Sequence, residues 1–346
     1  MGFRDKRISK SVLRAIFRSR APKTGLLARI LALFSVFQLT LARYKEDLFN
    51  KLREDVWQLD EDEYRESFRE AEKGGSLKSV GDLGYSGSTF FTTPNSKYLI
   101  KSLPRHSEHH FFRETLFPAY YSHISTHPSS LLVRITDLLY SPFWSLGRAL
   151  RTAPSHHIVM ENILYGKEAD PKGDKWETYD LKPTSYFYPE RDVAGGRLAS
   201  ESVKERLVDK FEDKIRITAE QRDELLSILD ADTKLLAQNN AIDYSLFLIR
   251  YPAPPPRDVA APDPRHPFRE GVESTDGKWV YRMVLLDFFW AKHTLQAKAM
   301  TALIRSFNFF ARHDDMSITT TPGEYRERFL GMVREMVEVR GEGRGE

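Results

Sequence analysis

A glycine-bearing turn, Gly84-Tyr85-Ser86-Gly87-Ser88-Thr89-Phe90, precedes a strand-like run that ends on Ile100-Lys101. Backbone N–H groups of such a turn can cover phosphate oxygens, and a lysine on the next strand can neutralise them. Two carboxylates follow much later, Asp243 in Ile242-Asp243-Tyr244-Ser245-Leu246 and Asp287 after Leu285-Leu286. Each adjoins apolar residues, where a carboxylate needs a partner; one can orient a hydroxyl and the other can hold Mg2+. In this order the residue types allow phosphoryl transfer. Singly, each has a plainer reading: a hairpin turn, a snorkelling edge lysine, a turn-forming aspartate.

The elements that must position them follow from periodicity. Residues 79–103 switch to glycine turns and β-branched or aromatic residues, with Pro94-Asn95-Ser96 as a turn, which predicts an antiparallel hairpin carrying the glycine loop and Lys101. Ser107 and Glu108 open a helix with Phe111, Phe112, Leu116 and Tyr120 on one face. Strands are expected around 131–140 and 157–164, and Leu225, Leu226, Leu229, Leu235 and Leu236 mark a helix over 218–238. Strands at 245–250 and 279–287 would bring Asp243 and Asp287 together. Between them, residues 251–278 hold seven prolines from Pro252 to Pro267 and read as a flexible insertion. Residues 44–73 alternate acids and bases and read as a solvated helix.

The joint order of these motifs resembles the phosphatidylinositol phosphate kinase family from about Tyr44 to about Glu338. Ser86-Gly87-Ser88-Thr89-Phe90 resembles the family's glycine loop, Lys101 its ATP lysine and Tyr179-Asp180-Leu181-Lys182 its Asp-Leu-Lys motif. Ile242 to Phe247 resembles Met-Asp-Tyr-Ser-Leu-Leu, and Leu285-Leu286-Asp287 the Ile-Ile-Asp metal motif. Val159-Met160-Glu161-Asn162 is similar to the hinge beside adenine, and Pro322 to Phe329 to the closing helix.

The resemblance implies an α+β, two-lobed fold related to the SAICAR synthases. An antiparallel-sheet N-lobe over 44–165 and a smaller α+β C-lobe over 166–346 would hold ATP between them. It further implies ATP and Mg2+ as cofactors and phosphorylation of a phosphatidylinositol phosphate head group. Ser86, Gly87, Ser88 and Phe90 would cover the phosphates and Lys101 would contact them, with Glu108 as its partner. Glu161 and Asn162 would lie beside the base and Asp287 would hold Mg2+. Asp243 would orient or deprotonate the hydroxyl, with Asp180 beside it in the catalytic set and Lys182 stabilising the transferring charge. Two departures stand out. Pro183-Thr184 replaces Gly-Ser, removing a backbone N–H. Phe288 to Ala299 lacks the family's lysine pair, keeping Lys292 and Lys298, while Phe288, Phe289 and Trp290 suit either a bilayer or a core. The alternatives are a catalytically weak membrane-associated or dimeric scaffold and a kinase of a small soluble substrate.

With 346 residues, 41% hydrophobic, the chain can bury a core large enough for two lobes. The absence of cysteine excludes disulfides and thiolate metal sites and fits a cytoplasmic protein. No nucleic-acid module is evident. His106, His109 and His110 lack an acidic ligand at metal-site spacing. The net charge of +3 hides a basic N-terminus, in which Arg4, Lys6, Arg7, Lys10, Arg14, Arg18, Arg20, Lys23 and Arg29 face the single acid Asp5. Ile8, Val12 and Ile16 recur every fourth residue, so residues 1–43 read as a basic amphipathic segment followed by an apolar helix. The first part suits a peripheral contact with an anionic membrane, a disordered arm or a mitochondrial presequence. The run Ile30 to Ala42 is too short to span a bilayer and suits a core or homodimer-interface helix, with an interfacial anchor as the alternative.

Overall fold

Six strands form the antiparallel sheet that carries Lys101. They are β1 (Ala42–Arg43), β2 (Lys78–Gly81), β3 (Phe90–Thr92), β4 (Tyr98–Ser102), β5 (Ile135–Tyr140) and β6 (His156–Glu161), in the order β1-β5-β6-β4-β3-β2. The computed structural model describes residues 2–18, 25–26, 30, 33–74, 76–81, 88–150, 152–183, 211–253, 267–291 and 321–339. Its chain divides into two compact units. The first holds this sheet and takes in Met1–His110, Ile124–Thr126 and Val133–Gly166; the second takes in Phe111–His123, His127–Leu132 and Lys167–Glu346.

In the first unit, helix α1 (Phe3–Ile16) and helix α2 (Glu61–Gly74) cover one face of the sheet. Ile8, Val12, Leu13 and Ile16 are buried in one core with Tyr64, Phe68, Leu77, Ile100 and Val159, while Lys6, Lys10 and Arg14 stay outside. The four-residue apolar repeat of α1 therefore serves the fold. Removal of α1 would take part of this core with it. Residues 35–41 are not helical, contrary to the apolar-helix reading; Leu39 and Leu41 reach the core from an irregular chain that leads into β1.

The expected solvated helix over 44–73 is also corrected. It is a short helix Glu46–Lys51, a π-helical turn Leu52–Val56 and α2, and it buries Phe49, Leu52, Tyr64 and Phe68. A buried ion network fixes it to the sheet. Arg43 Nε and Nη2 each donate to Asp137 at 3.0 Å, Tyr64 donates its hydroxyl to the same carboxylate at 2.7 Å, and Arg53 Nε donates to Glu61 at 2.9 Å. Burial, and then the Asp137 charge, push the Tyr64 phenol well above its usual range.

The second unit is built on a four-stranded antiparallel sheet in the order β11-β12-β10-β7. Its strands are β7 (Glu177–Leu181), β10 (Ser245–Pro252), β11 (Val272–Glu273) and β12 (Trp279–Leu286). Two smaller ladders join β9 (Ala241–Ile242) to β13 (Trp290–Ala291), and β8 (Ile215–Ile217) to β14 (Val337–Val339). Helices α3 (Ala219–Gln238) and α4 (Pro322–Met336) each begin at a full capping box, Thr218 with Gln221 and Thr321 with Glu324. Each box satisfies two otherwise orphaned helix-end donors. The expected insertion is narrower than its proline count suggested. Residues 267–278 are folded, with Phe268, Arg269 and Val272 buried, and Arg269 Nη2 donates to the carbonyls of Ser130 at 2.7 Å and Leu132 at 3.1 Å. Residues 254–266 lie outside the described residues.

Candidate active site

Strand register decides where Lys101 points. Phe90 pairs with Lys101, Lys101 with Ile158, and Ile158 with Leu138, so these side chains form one row across β3, β4, β6 and β5. Ile100 alternates to the opposite face, under α1 and α2. Lys101 is only 8% exposed, and its Nζ lies 5.6 Å from the centroid of the Phe90 ring. The loop before β3 is tied to β4: Thr89 N donates to Ser102 Oγ at 2.8 Å, and Ser102 N donates to Thr89 O at 3.0 Å. Ser88 is buried at the mouth of this clamp. Ser86 and Gly87 lie outside the described residues. Ser102, absent from the expected set, is legible only once the register is known.

The hinge-like residues are committed to their own turn. Glu161 Oε1 accepts from Arg134 N at 2.9 Å. Asn162 N donates to Lys97 O at 2.9 Å, its carbonyl accepts from Tyr165 N at 2.8 Å and its Nδ2 donates to Ser96 O at 2.8 Å. Asn162 thus joins the β3–β4 turn to the end of β6. Glu108, on the helix His106–His110, forms an ion pair with Arg105 at 3.4 Å. The histidines there stack on one another, His109 lying 3.6 Å from the His156 ring, and among the described residues they form no metal cluster.

In the second unit the sheet delivers three charged side chains to one end. Leu181 pairs with Leu246, so Lys182 follows directly off the end of β7 beside the start of β10. Its Nζ donates to Asp243 Oδ1 at 3.0 Å, with both side chains partly buried. Asp180 pairs with Phe247 and is exposed. Asp243 and Asp287 sit between two antiparallel ladders, one ending at Ser245 with Leu286 and the other at Ile242 with Trp290. Two residues, Asp243 and Tyr244, therefore face three, Asp287 to Phe289, an irregularity of the bulge kind.

Both aspartates take left-handed backbone, φ 68° for Asp243 and φ 60° for Asp287. Such conformations cost on the order of 1 kcal/mol or more for a non-glycine residue and concentrate at functional sites. Buried aromatics hold them. Tyr244 packs against Tyr325 and Phe329, Phe288 against Tyr120 and Phe289 against Phe112. Phe288 is fully buried and Phe289 is 6% exposed, which settles these two rings as core. Lys292, Lys298 and Thr184 lie outside the described residues.

Among the described residues no three histidine or carboxylate groups converge as a preformed cation cage. The donor chemistry at Asp287 nevertheless fits Mg2+, which commonly takes one or two protein carboxylates and completes its shell with water and substrate phosphates.

A family model described as phosphatidylinositol-4-phosphate 5-kinase matches residues 72–260, more than half of the chain. That stretch contains Lys101, Asp180, Lys182 and Asp243 and ends before Asp287. A Plasmodium falciparum phosphatidylinositol 4-phosphate 5-kinase is 33% identical over 184 residues, 51% of this chain and 10% of that protein. A Dictyostelium discoideum probable phosphatidylinositol phosphate kinase is 31% identical over 180 residues, 51% of this chain and 23% of its own length. The human phosphatidylinositol 4-phosphate 5-kinase type-1 beta is 29% identical over 182 residues, 50% and 29% of the two chains. The matches thus span less than a third of each of these relatives. With that family model matching more than half its length, the chain belongs to the phosphatidylinositol-4-phosphate 5-kinase family.

Proposed function

We propose that this protein transfers the γ-phosphoryl group of ATP to a ring hydroxyl of a phosphatidylinositol phosphate. The carrying observation is the Lys182–Asp243 ion pair at the end of the sheet where Asp287 also stands. Family membership supplies the substrate class, and the two-lobed arrangement shared with SAICAR synthases belongs to the same reading.

In this reading Lys101 binds the nucleotide phosphates together with Ser86, Gly87, Ser88 and Phe90 of the glycine-loop motif, and Glu161 and Asn162 border the base. Glu108 is the candidate acid for steering Lys101. Asp243 accepts the proton of the attacking hydroxyl as its oxygen bonds to phosphorus and the bond to the ADP oxygen breaks. Lys182 pairs with Asp243 and offers N–H donors to the transferring phosphoryl oxygens, while Asp180 adds negative charge on β7. Mg2+ held by Asp287 would neutralise phosphate charge. Little covalent work is asked of the protein, so positioning and electrostatics supply the rate.

The lipid is met at a membrane surface. Lys6, Arg7, Lys10 and Arg14 are exposed along α1, and Leu33 and Phe34 are exposed nearby in sequence, a pairing of charge and apolar surface suited to an anionic leaflet. Peripheral attachment from the cytoplasmic side and a homodimer complete the proposal. The test presents Mg-ATP with vesicles carrying each phosphatidylinositol monophosphate in turn. Phosphate transfer to one of them, lost in Asp243→Asn, is expected; nucleotide binding without transfer to any would overturn the reading.

A further inference from the structure

Asp232 is 1% exposed near the C-terminal end of α3 and belongs to none of the family motifs read above. Its Oδ1 meets His123 Nε2 at 2.6 Å and accepts from Ser130 Oγ at 2.7 Å, while Oδ2 accepts from Leu131 N at 2.7 Å. A buried carboxylate with three partners is expensive to disturb, because loss of the acceptor strands every donor at once.

What it holds is a short piece of added strand. Leu131 O accepts from Leu285 N at 2.7 Å, and Leu132 bridges Leu285 in parallel. Leu285 lies two residues before Asp287 on β12. In the other direction, α3 runs on through Asn239 and Asn240 into β9, which ends at Ile242 directly before Asp243. One side chain therefore ties the helix that leads to Asp243 to the strand that leads to Asp287. Arg269, from the segment after the proline-rich stretch, fastens the same piece through the Ser130 and Leu132 carbonyls.

We propose that Asp232 is a positioning residue that sets the spacing of Asp243 and Asp287 by clamping residues 130–132 against β12. This rests on the phosphotransferase reading for its consequence and on hydrogen bonds alone for its mechanics. Buried within the fold, it acts through Leu131 and Leu285. Support of this kind around ligating and catalytic side chains is commonly worth about 10- to 100-fold in affinity or activity.

The experiment compares full-length wild type, Asp232→Asn and Ser130→Ala by hydrogen–deuterium exchange and steady-state kinetics. Asp232→Asn keeps the shape but presents an amide N–H₂ to donors. Exchange should accelerate in peptides covering 241–246 and 284–289, while the six-stranded sheet of the first unit keeps its wild-type protection. Turnover should fall about 10- to 100-fold at unchanged KM for ATP, with more Mg2+ needed for half-maximal rate. Ser130→Ala, which removes one donor, should show the same pattern more weakly and carries the test if Asp232→Asn does not fold. Faster exchange spread evenly over both units, or confined to 127–132, would overturn the proposal. If the wild type transfers no phosphate, the functional reading fails while the exchange pattern still decides the clamp.

Discussion

Lys182 Nζ lies 3.0 Å from Asp243 Oδ1, joining the residue that follows β7 to the one that precedes the β10 hairpin strand by a single tyrosine. In the proposed site Asp243 as base and Lys182 as phosphoryl-stabilising cation would act as a unit through this hydrogen bond, and such residues lose activity non-additively. Asp243→Asn should lower kcat by about 10²- to 10⁴-fold with nucleotide affinity little changed. Lys182→Met should cost a similar factor, and the double variant little more. Losses that multiply in the double variant would mean that the two side chains serve separate purposes.

Lys101 supplies the second prediction. Its side chain is buried in a row with Phe90 and Ile158, so an apolar replacement of similar length should leave the first unit folded. Saturating Mg-ATP at about 100 times its Kd should stabilise the wild type by about 2.7 kcal/mol. Lys101→Met should abolish that shift in Tm. A shift of wild-type size in the variant would remove Lys101 from the nucleotide site.

Candidate residues and their elements stand out where chemistry and spacing coincide in sequence. Lys101 after three apolar residues, Asp287 after another apolar run and the helix over 218–238 all announce themselves within a few residues. What sequence could not give was pairing. That Lys182 bonds Asp243 depends on β7 lying beside β10, an adjacency set by tertiary packing. The same is true of Asp137 with Arg43 and of Asp232 with Leu131, each separated by about a hundred residues that no local pattern can bridge. The amphipathic pattern of α1 was read correctly as a face, but a face does not say what covers it. Here the cover is Tyr64, Phe68 and Leu77. Proline density misled at 267–278, where Phe268 and Arg269 gain enough burial and hydrogen bonding to order a segment that composition alone marks as open chain.

His157 makes acid stability testable. It is 1% exposed, pairs with Leu139 and Ser102, and neither ring nitrogen has a hydrogen-bond partner among the described residues. Burial lowers its pKa from 6.5 to about 4. The folded state therefore holds it neutral where the unfolded chain would bind a proton. Its contribution is full above the unfolded pKa and is lost as pH falls from 6.5 toward about 4, a change of roughly 3 kcal/mol. Urea midpoints followed through that window should drop more steeply for the wild type than for His157→Leu. Parallel profiles would show that the ring is solvated or paired when charged.

The last prediction separates two roles of α1. Ile16 is fully buried, and Ile16→Ala should cost about 2–5 kcal/mol, read as a lower Tm of the whole protein. Lys10 and Arg14 are exposed on the other side of the same helix, so the pair Lys10→Glu and Arg14→Glu should leave Tm nearly unchanged. That pair should instead weaken binding to vesicles containing anionic lipid, since each basic residue near such a surface contributes roughly 1 kcal/mol and the reversal also adds repulsion. Binding by the wild type should fade as salt rises, because exposed charges are screened over roughly 8 Å at physiological ionic strength. Activity on lipid in vesicles should fall with binding while turnover on a soluble inositol phosphate head group is retained. Equal loss on both substrates would mean that the basic face supports the fold or the site itself, and the helix would then have no separate part in recruitment.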